Sequence, residues 1–325
     1  MNKIISDNRG VALIITILIL SIIVVLTLEF NRSMRENLHI AVNSKDTIML
    51  NYLARSGYNL ALAVLDEDDR GSDSLHDDWA LLKMYSPLSN QLFDEGRFQV
   101  EIIDLAGRFQ INNLVNMNGT YNDNQKELLF RLILLLAPDL YEEEVEDIID
   151  NIKDWIDIDD EPTRFGAEDL YYQSLENSYS CSNGSLKSVE ELLRIKNISE
   201  DLFFGTLGNP GLRDLVTVHG DGSGKININT APPSLIMAIA EDMDGEMIDN
   251  IISYREDSEN DLSEPFWYKD AIGTNEDMID PSLIGINGDF FTIDSIGLKD
   301  NMRRIIRAVV KRTGNTFTLL SWRIS

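Results

Sequence analysis

Acidic side chains crowd one stretch of this 325-residue chain, and that stretch is where its residues could do chemistry. Residues 139–169 hold fourteen Asp or Glu against Lys153 and Arg164, a local net charge of −12. Within WIDIDDEPTRFGAEDLYY (155–172), Asp157, Asp159, Asp160 and Glu161 fall in five positions, and Glu168 and Asp169 follow shortly after. Pro162 and Gly166 mark an irregular loop between helices. Carboxylates this close repel one another unless a cation sits among them, and calcium takes about six to eight oxygens from a flexible loop. The spacing is not that of an EF-hand. Magnesium keeps more of its water, and zinc would want His or Cys close by. A solvated acidic surface is the competing reading, but the interleaved Trp155, Pro162, Tyr171 and Tyr172 suggest an ordered loop. The expected ion is therefore a structural calcium.

Catalysis has less support. Nothing separates an acid from a base among these carboxylates, as a glycosidase pair would require, and no G-x-S-x-G motif is present. His39, His76 and His219 lie far apart and read as surface residues. The chain is read as no enzyme, with a membrane-anchored periplasmic hydrolase using the acid loop as the outlying alternative. Twenty-eight basic against fifty-five acidic residues leave −27, the wrong sign for a phosphate backbone, so no nucleic-acid partner is expected. With Cys181 as the sole cysteine, no disulfide can form within the chain.

The elements that must position the loop begin with an anchor. Residues 11–28, VALIITILILSIIVVLTL, contain only Thr16, Ser21 and Thr27 as polar positions. As a helix the run is about 27 Å long, close to a hydrocarbon core of about 30 Å. Lys3 and Arg9 precede it, which favours a cytoplasmic N-terminus. No small-x-small cleavage triplet follows; instead Gly10 stands directly before the apolar run. The helical pattern continues to Leu65, with Ile48, Tyr52, Leu53, Leu60 and Ala63 spaced along one side.

Strands flank a helical middle. RFQVEIID (97–104) alternates cleanly, RFQIN (108–112) starts a second strand, and 290–297, 303–312 and 316–324 supply three more, the last two joined through Gly314-Asn315. Helices are expected over 122–137, 141–156, 188–195, 231–240 and 245–255, with a short one near Trp267. QINNLVN and KININTAPP echo each other, each placing Asn or Thr where a helix N-cap is needed. The second opens a segment resembling a helix-hairpin-helix, with SVEELLRIKNISEDLF as a weaker copy; three carboxylates at the hairpin tip make it a packing module. The final residues reverse the sign: Lys299, Arg303, Arg304, Arg307, Lys311, Arg312 and Arg323 face only Asp300. Internal docking, a charged subunit interface and a solvated edge all fit that pattern.

Together, RG before VALIITILIL, FQVEIIDLAGRFQINNL, the DWIDIDDEP…GAEDLYY…SVEELL series and TVHG…KININTAPP resemble the K-type minor pseudopilins of the type II secretion system, over the whole chain. The resemblance implies an α+β, pilin-like fold: a long N-terminal helix and an antiparallel sheet with a large all-α domain inserted. Its expected layout is a leader at 1–10, a spine helix at 11–65, sheet at 66–112, inserted helical domain at 113–285 and sheet again at 286–325. It implies cutting by a prepilin peptidase between Gly10 and Val11, and an inner-membrane, single-pass protein with a periplasmic C-terminal domain. Calcium in the helical domain follows from it too, with Asp157, Asp159, Asp160, Glu161, Glu168 and Asp169 as candidate ligands. The implied partners are I-type and J-type minor pseudopilins, with the H-type and major pseudopilins beyond them. Counting from Val11, the fifth residue is Ile15, where most pilins carry a Glu that neutralises a neighbour's terminal amine; a subunit with nothing above it needs none. SYSCSNGSL (178–186) departs from the family's proline-rich run. A minor pilin or tip adhesin of a type IV pilus is the alternative on the same fold.

Overall fold

The computed structural model describes residues 9–240, 243–314 and 316–325. Helix α1 runs from Arg9 to Glu67 without a break, about 90 Å at 1.5 Å per residue. Its N-terminal half is apolar on every face and exposed in the isolated chain, and α1 is the one helix among the described residues long and apolar enough to cross a membrane. Thr16, Ser21 and Thr27 turn their hydroxyls back onto the carbonyls of Ala12, Ile17 and Ile23 at 2.7–2.9 Å, so these polar groups are satisfied without water.

The C-terminal half of α1 lies on a four-stranded antiparallel sheet. Strands β1 (Arg97–Asp104), β6 (Phe290–Lys299), β7 (Met302–Thr313) and β8 (Thr316–Ile324) lie in that order. Close approach depends on small residues. A Cβ on Gly57 would strike Ser295 and Val100, and one on Gly297 would strike the backbone of Leu50. Ser295 Oγ donates to the Ala54 carbonyl at 2.7 Å. The buried face of α1 is therefore Leu50, Leu53, Ala54, Gly57, Ala61 and Leu65. Of the side-chain stripe expected from spacing, only Leu53 is buried; Ile48, Tyr52, Leu60 and Ala63 are exposed. The helix carries apolar residues on two faces, and the small ones decide which face meets the sheet.

Between α1 and β1, helix α2 (Asp78–Tyr85) leads into a 3-10 turn over Ser86–Gln91. Ser89 Oγ both accepts from Phe98 N–H and donates to its carbonyl, at 2.9 and 3.0 Å, and Ser86 Oγ does the same at Val100, at 2.9 and 3.4 Å. Two hydroxyls thus stand in for a neighbouring strand along the edge of β1. The turn between β7 and β8 falls where expected, although Asn315 itself lies outside the described residues.

Residues 105–289 loop out between β1 and β6, whose pairing of Asp104 with Phe291 closes the sheet beneath them. In this insertion lie β2 (Phe109–Gln110), α3 (Asp123–Leu136), α4 (Glu142–Ile156), α5 (Asp169–Gln173), α6 (Glu200–Phe204), α7 (Leu212–Leu215) and β3 (Val216–Thr217). Then follow β4 (Ile226–Asn227), α8 (Pro233–Ile239), α9 (Gly245–Glu256), α10 (Tyr268–Ile272) and β5 (Ile284–Gly285). Its core is separate from that of the sheet and much larger, with Phe109, Leu128, Ile149, Trp155, Tyr172 and Ile236 fully buried or nearly so. The strand expected at 108–112 is corrected here. Only Phe109 and Gln110 are extended, they pair in parallel with β3, and Ile111–Leu114 turn into a 3-10 helix whose apolar side chains enter the insertion's core.

The echoed asparagines do not cap helices. Asn112 bonds the backbone of Leu186 and Val218, Asn227 bonds Asp73 and Asp104, and Asn229 bonds the Leu262 carbonyl and Trp267 Nε1. Each ties distant loops together, because a buried amide must find partners wherever the chain brings them. Helix α8 is instead entered through Pro232 and Pro233. In the hairpin between α8 and α9, Glu241 and Asp242 lie outside the described residues; α9 is capped by the Asp244 side chain on Met247 N–H. The weaker copy is a 3-10 turn over Val189–Arg194 followed by α6.

One junction fixes the insertion to the sheet. Arg312 of β7 is buried and holds Asp73 through two contacts of 2.8 Å, Asp68 at 3.1 Å and the Gly288 carbonyl at 2.9 Å. Asp104, at the end of β1, accepts from Ala106 N–H, Asn227 Nδ2 and Thr230 Oγ1 at 2.7–2.8 Å. Lys299 meets Asp46 and Glu95, Arg307 meets Asp294, and Arg304 meets Asn51. Most of the basic C-terminal run is thus internal docking.

Candidate metal centre

Helix α4 ends by putting two carboxylates on one face. Asp154 and Asp157 are three residues apart, so they stack along its last turn. Pro162 and the left-handed Arg164 (φ 43°) bend the loop back, and Glu168 arrives as the residue before α5. Gly166 has to be glycine, because any Cβ there would run into the Asp154 carboxylate. Trp155 and Tyr172 pack edge to face at 5.1 Å beneath the loop, and Tyr172 stacks on Tyr179 at 5.4 Å. Of the aromatic residues that suggested an ordered loop, Trp155 and Tyr172 are its floor and Tyr171 is exposed.

One oxygen from each of Asp154, Asp157 and Glu168 lies within 4.8 Å of the others, and all three residues are buried. Lys153 Nζ contacts Asp157 at 2.5 Å and Asp154 at 4.0 Å, and donates to Thr163 Oγ1 at 2.7 Å. Thr163 N–H donates to Asp154. The rest of the demand is unmet. Asp157 Oδ1 and both Glu168 oxygens are buried and have no hydrogen-bond partner. Burial, reinforced by Asp154 and Asp157, pushes the Glu168 carboxyl from 4.5 up to about 8. Asp154 and Asp157 are also raised, chiefly by burial.

Three carboxylates against one ammonium leave a formal charge of −2, which one divalent cation neutralises. All the open positions are hard carboxylate oxygens, which suits calcium better than a thiophilic metal. Cys181, whose Sγ lies 3.5 Å from the Asp154 carbonyl, is pushed up to about 12 by burial and the nearby Glu168, so its thiol keeps its proton.

The six carboxylates singled out from the sequence divide here. Asp157 and Glu168 enter the cluster. Asp159, Asp160 and Glu161 stand exposed on the loop, Asp159 accepting from Glu161 N–H at 2.9 Å and Asp160 from Asn183 at 2.8 Å. Asp169 turns away to accept from Cys181 N–H and Gln173. Asp154 was missed, since it reads as one more acid on an amphipathic helix; its i, i+3 spacing to Asp157 was the available signal. Gly10, Val11 and Ile15 sit in the first turns of α1. His76 contacts the Arg255 carbonyl at 2.7 Å and His219 stacks on Phe290, both away from this centre.

A single long helix, half apolar and half laid on an antiparallel sheet, defines a pilin-like subunit, here with a helical domain inserted between two of its strands. The family model of type II secretion system protein K matches residues 107–204. The type II secretion system protein K of Pseudomonas aeruginosa is 30% identical over 257 residues, 76% of this chain and 72% of that protein. That of Aeromonas hydrophila is 26% identical, over 73% of this chain and 72% of its own. The fold is similar to a chain in the crystal structure of the GspK-GspI-GspJ complex from enterotoxigenic Escherichia coli, at a TM-score of 0.63 and 17% identity, covering 87% of this chain and 98% of that one. The chain belongs to the type II secretion system protein K family and is a minor pseudopilin. The type IV pilus alternative is not favoured by these relatives.

Proposed function

We propose that this pseudopilin sits at the tip of its fibre, starts its assembly with I-type and J-type minor pseudopilins, and carries calcium as a structural brace. The observation that supports the tip position is where the insertion is attached. Leu50 and Ala54 of α1 lie against Gly297, whereas the end of α1 meets Asp68, Arg312 and the junction to the insertion. The helical domain is therefore held at the end of the sheet farthest from the apolar segment. Stacked in a fibre, such a domain would stand where the next subunit's sheet would go. Ile15 agrees with this, since a first subunit has no terminal amine above it to neutralise. I-type and J-type partners agree with the solved complex that the fold resembles.

On this reading α1 is anchored in the inner membrane with the insertion outside the cytoplasm, and the peptidase cuts between Gly10 and Val11. Asp154, Asp157 and Glu168 would hold the calcium, which supplies the positive charge their unbonded oxygens lack and clamps the loop between α4 and α5. Nothing in this reading asks for catalysis.

Co-expression of tagged chain with I-type and J-type subunits tests the assembly role. A ternary complex is expected, and purification of the chain alone despite ample partners would sink it. Gly10→Ala should leave the chain uncut in cells that hold the peptidase. Normal processing of that variant would remove the leader assignment.

A further inference from the structure

The sheet has a second face, opposite α1, which the insertion overhangs without touching everywhere. A cleft of about 390 Å³ remains between them. Its floor is a cross-strand row of Ile103, Thr292, Val309 and Ser321. Lys187–Glu190 and Val216–His219 of the insertion form the facing wall. In a chain of net charge −27, the lining has five cations, Arg108, Lys187, Arg213, Arg307 and Arg323, against Glu190, Asp214 and Asp294.

Two of those cations are already matched. Asp294 holds Arg307 with contacts of 2.7 and 2.5 Å, and Glu190 meets Arg323 at 3.4 Å. Among the described residues, Arg108, Lys187 and Arg213 have no carboxylate at ion-pair distance. Arg213 lies over the Phe204 ring. Arg108 is half-buried at the closed side of the cleft; burial lowers its pKa, and Asp214 and Asp104 act on it only from longer range. A guanidinium kept partly from water without a partner is costly, and the cleft is the direction from which a partner can come. The rim is open too. Strand β8 is the free edge of the sheet, while the β1 edge is sealed by Ser86 and Ser89.

We infer that this cleft is a docking site for an extended acidic segment of another polypeptide, whose carboxylates meet Arg108, Lys187 and Arg213 while its aliphatic side chains lie on Ile103 and Val309. Charge complementarity chooses the occupant: the unmatched groups are three cations against the single carboxylate of Asp214, and Ile103 and Val309 give the floor between them an apolar strip. The proposal is independent of the tip role, so its failure leaves that reading standing.

The test uses the full chain in detergent micelles and a fluorescein-labelled, C-terminally amidated peptide alternating Asp and Val, followed by anisotropy. Binding is expected to weaken roughly tenfold between low salt and about 0.3 M salt. Arg108→Gln should lose roughly tenfold in affinity, Arg108→Lys should keep most of it, and Arg303→Gln, on the same sheet outside the cleft, should change nothing. If Arg108→Gln does not fold by circular dichroism, Lys187→Gln with Arg213→Gln, both exposed positions, carries the same expectation. No binding by the parent chain, equal binding of a Lys-Val peptide, or equal loss in Arg303→Gln would overturn the proposal.

Discussion

Two clusters of buried carboxylates lie at opposite ends of the same design problem. At the junction, Asp68, Asp73 and Asp104 gather round Arg312, and their bonds are made: Arg312 and Gly288 N–H to Asp73, and three donors to Asp104. In the insertion, Asp154, Asp157 and Glu168 gather round Lys153, and three oxygens are left over. Burial, acid count and a single cation are common to both. What differs is the supply of donors. A planar guanidinium presents several N–H groups at once and can serve two carboxylates, whereas one ammonium on a helix reaches only its neighbours. The cluster whose carboxylates are bonded is a clamp, with only Arg312 Nε left without a partner in it. The unsaturated one has the free oxygens of an ion site.

Breaking the clamp should have the largest effect. Arg312→Met leaves Asp73 and Asp68 without their cation in a dry junction and should cost about 3–5 kcal/mol, seen in denaturant unfolding of the chain in mild detergent. A loss under about 1 kcal/mol would mean that water reaches the junction. Glu168→Gln should do something of mixed sign. It removes a carboxyl that must take up a proton to be buried, so at neutral pH the metal-free chain should melt higher than the parent. On the proposed assignment it should also abolish stabilisation by calcium, expected for the parent to be about 2.7 kcal/mol at a hundredfold excess over Kd. An undiminished calcium response in that variant would remove Glu168 from the site.

pH sharpens the contrast further. Glu168 titrates near 8 in the folded chain against an ordinary 4.5, and Asp73 near 7 against 3.8, raised by burial and by Asp104. The folded state therefore holds more protons in that interval, and metal-free stability should rise as the pH falls from about 8 toward 4.5. A calcium ion held as proposed would compete with the Glu168 proton, so its benefit should be greatest near pH 8 and fade toward pH 5. Melting curves with chelator and with calcium across that range check both slopes; a calcium increment constant with pH would contradict the assignment. The smallest effects belong to the exposed acids. Asp159→Asn, Asp160→Asn and Glu161→Gln should each change calcium-bound stability by no more than about 0.5 kcal/mol.

The division of those acids shows what the sequence could carry. Crowding along the chain identified the loop, but burial decides which carboxylates meet, and burial is settled by Trp155 and Tyr172 packing beneath Asp154 and Glu168. Local periodicity made the spine helix, the strands at 97–104 and 290–324 and most helices legible. It failed at 108–112, where the alternation of Phe109 and Ile111 is answered by the insertion's core rather than the sheet. It failed again on α1, where Gly57 and Ala54 outrank the larger Ile48 and Tyr52 because only small residues allow contact. The basic C-terminal run could be counted but not assigned, since its partners Asp46, Asp68, Asp73 and Glu95 lie more than two hundred residues upstream.

The looping-out of residues 105–289 also has a consequence in time. Strand β1 leaves the ribosome long before β6, and its inner edge has no other partner in the sheet. Contacts between segments so far apart in sequence are slow to form unless something intermediate draws the ends together. The insertion, with its own core, does that: once folded, it presents Asp104 and Phe291 side by side. The strands β6 to β8 are local neighbours and can pair on their own, whereas addition of β1 to β6 is fastest once the helical domain is built.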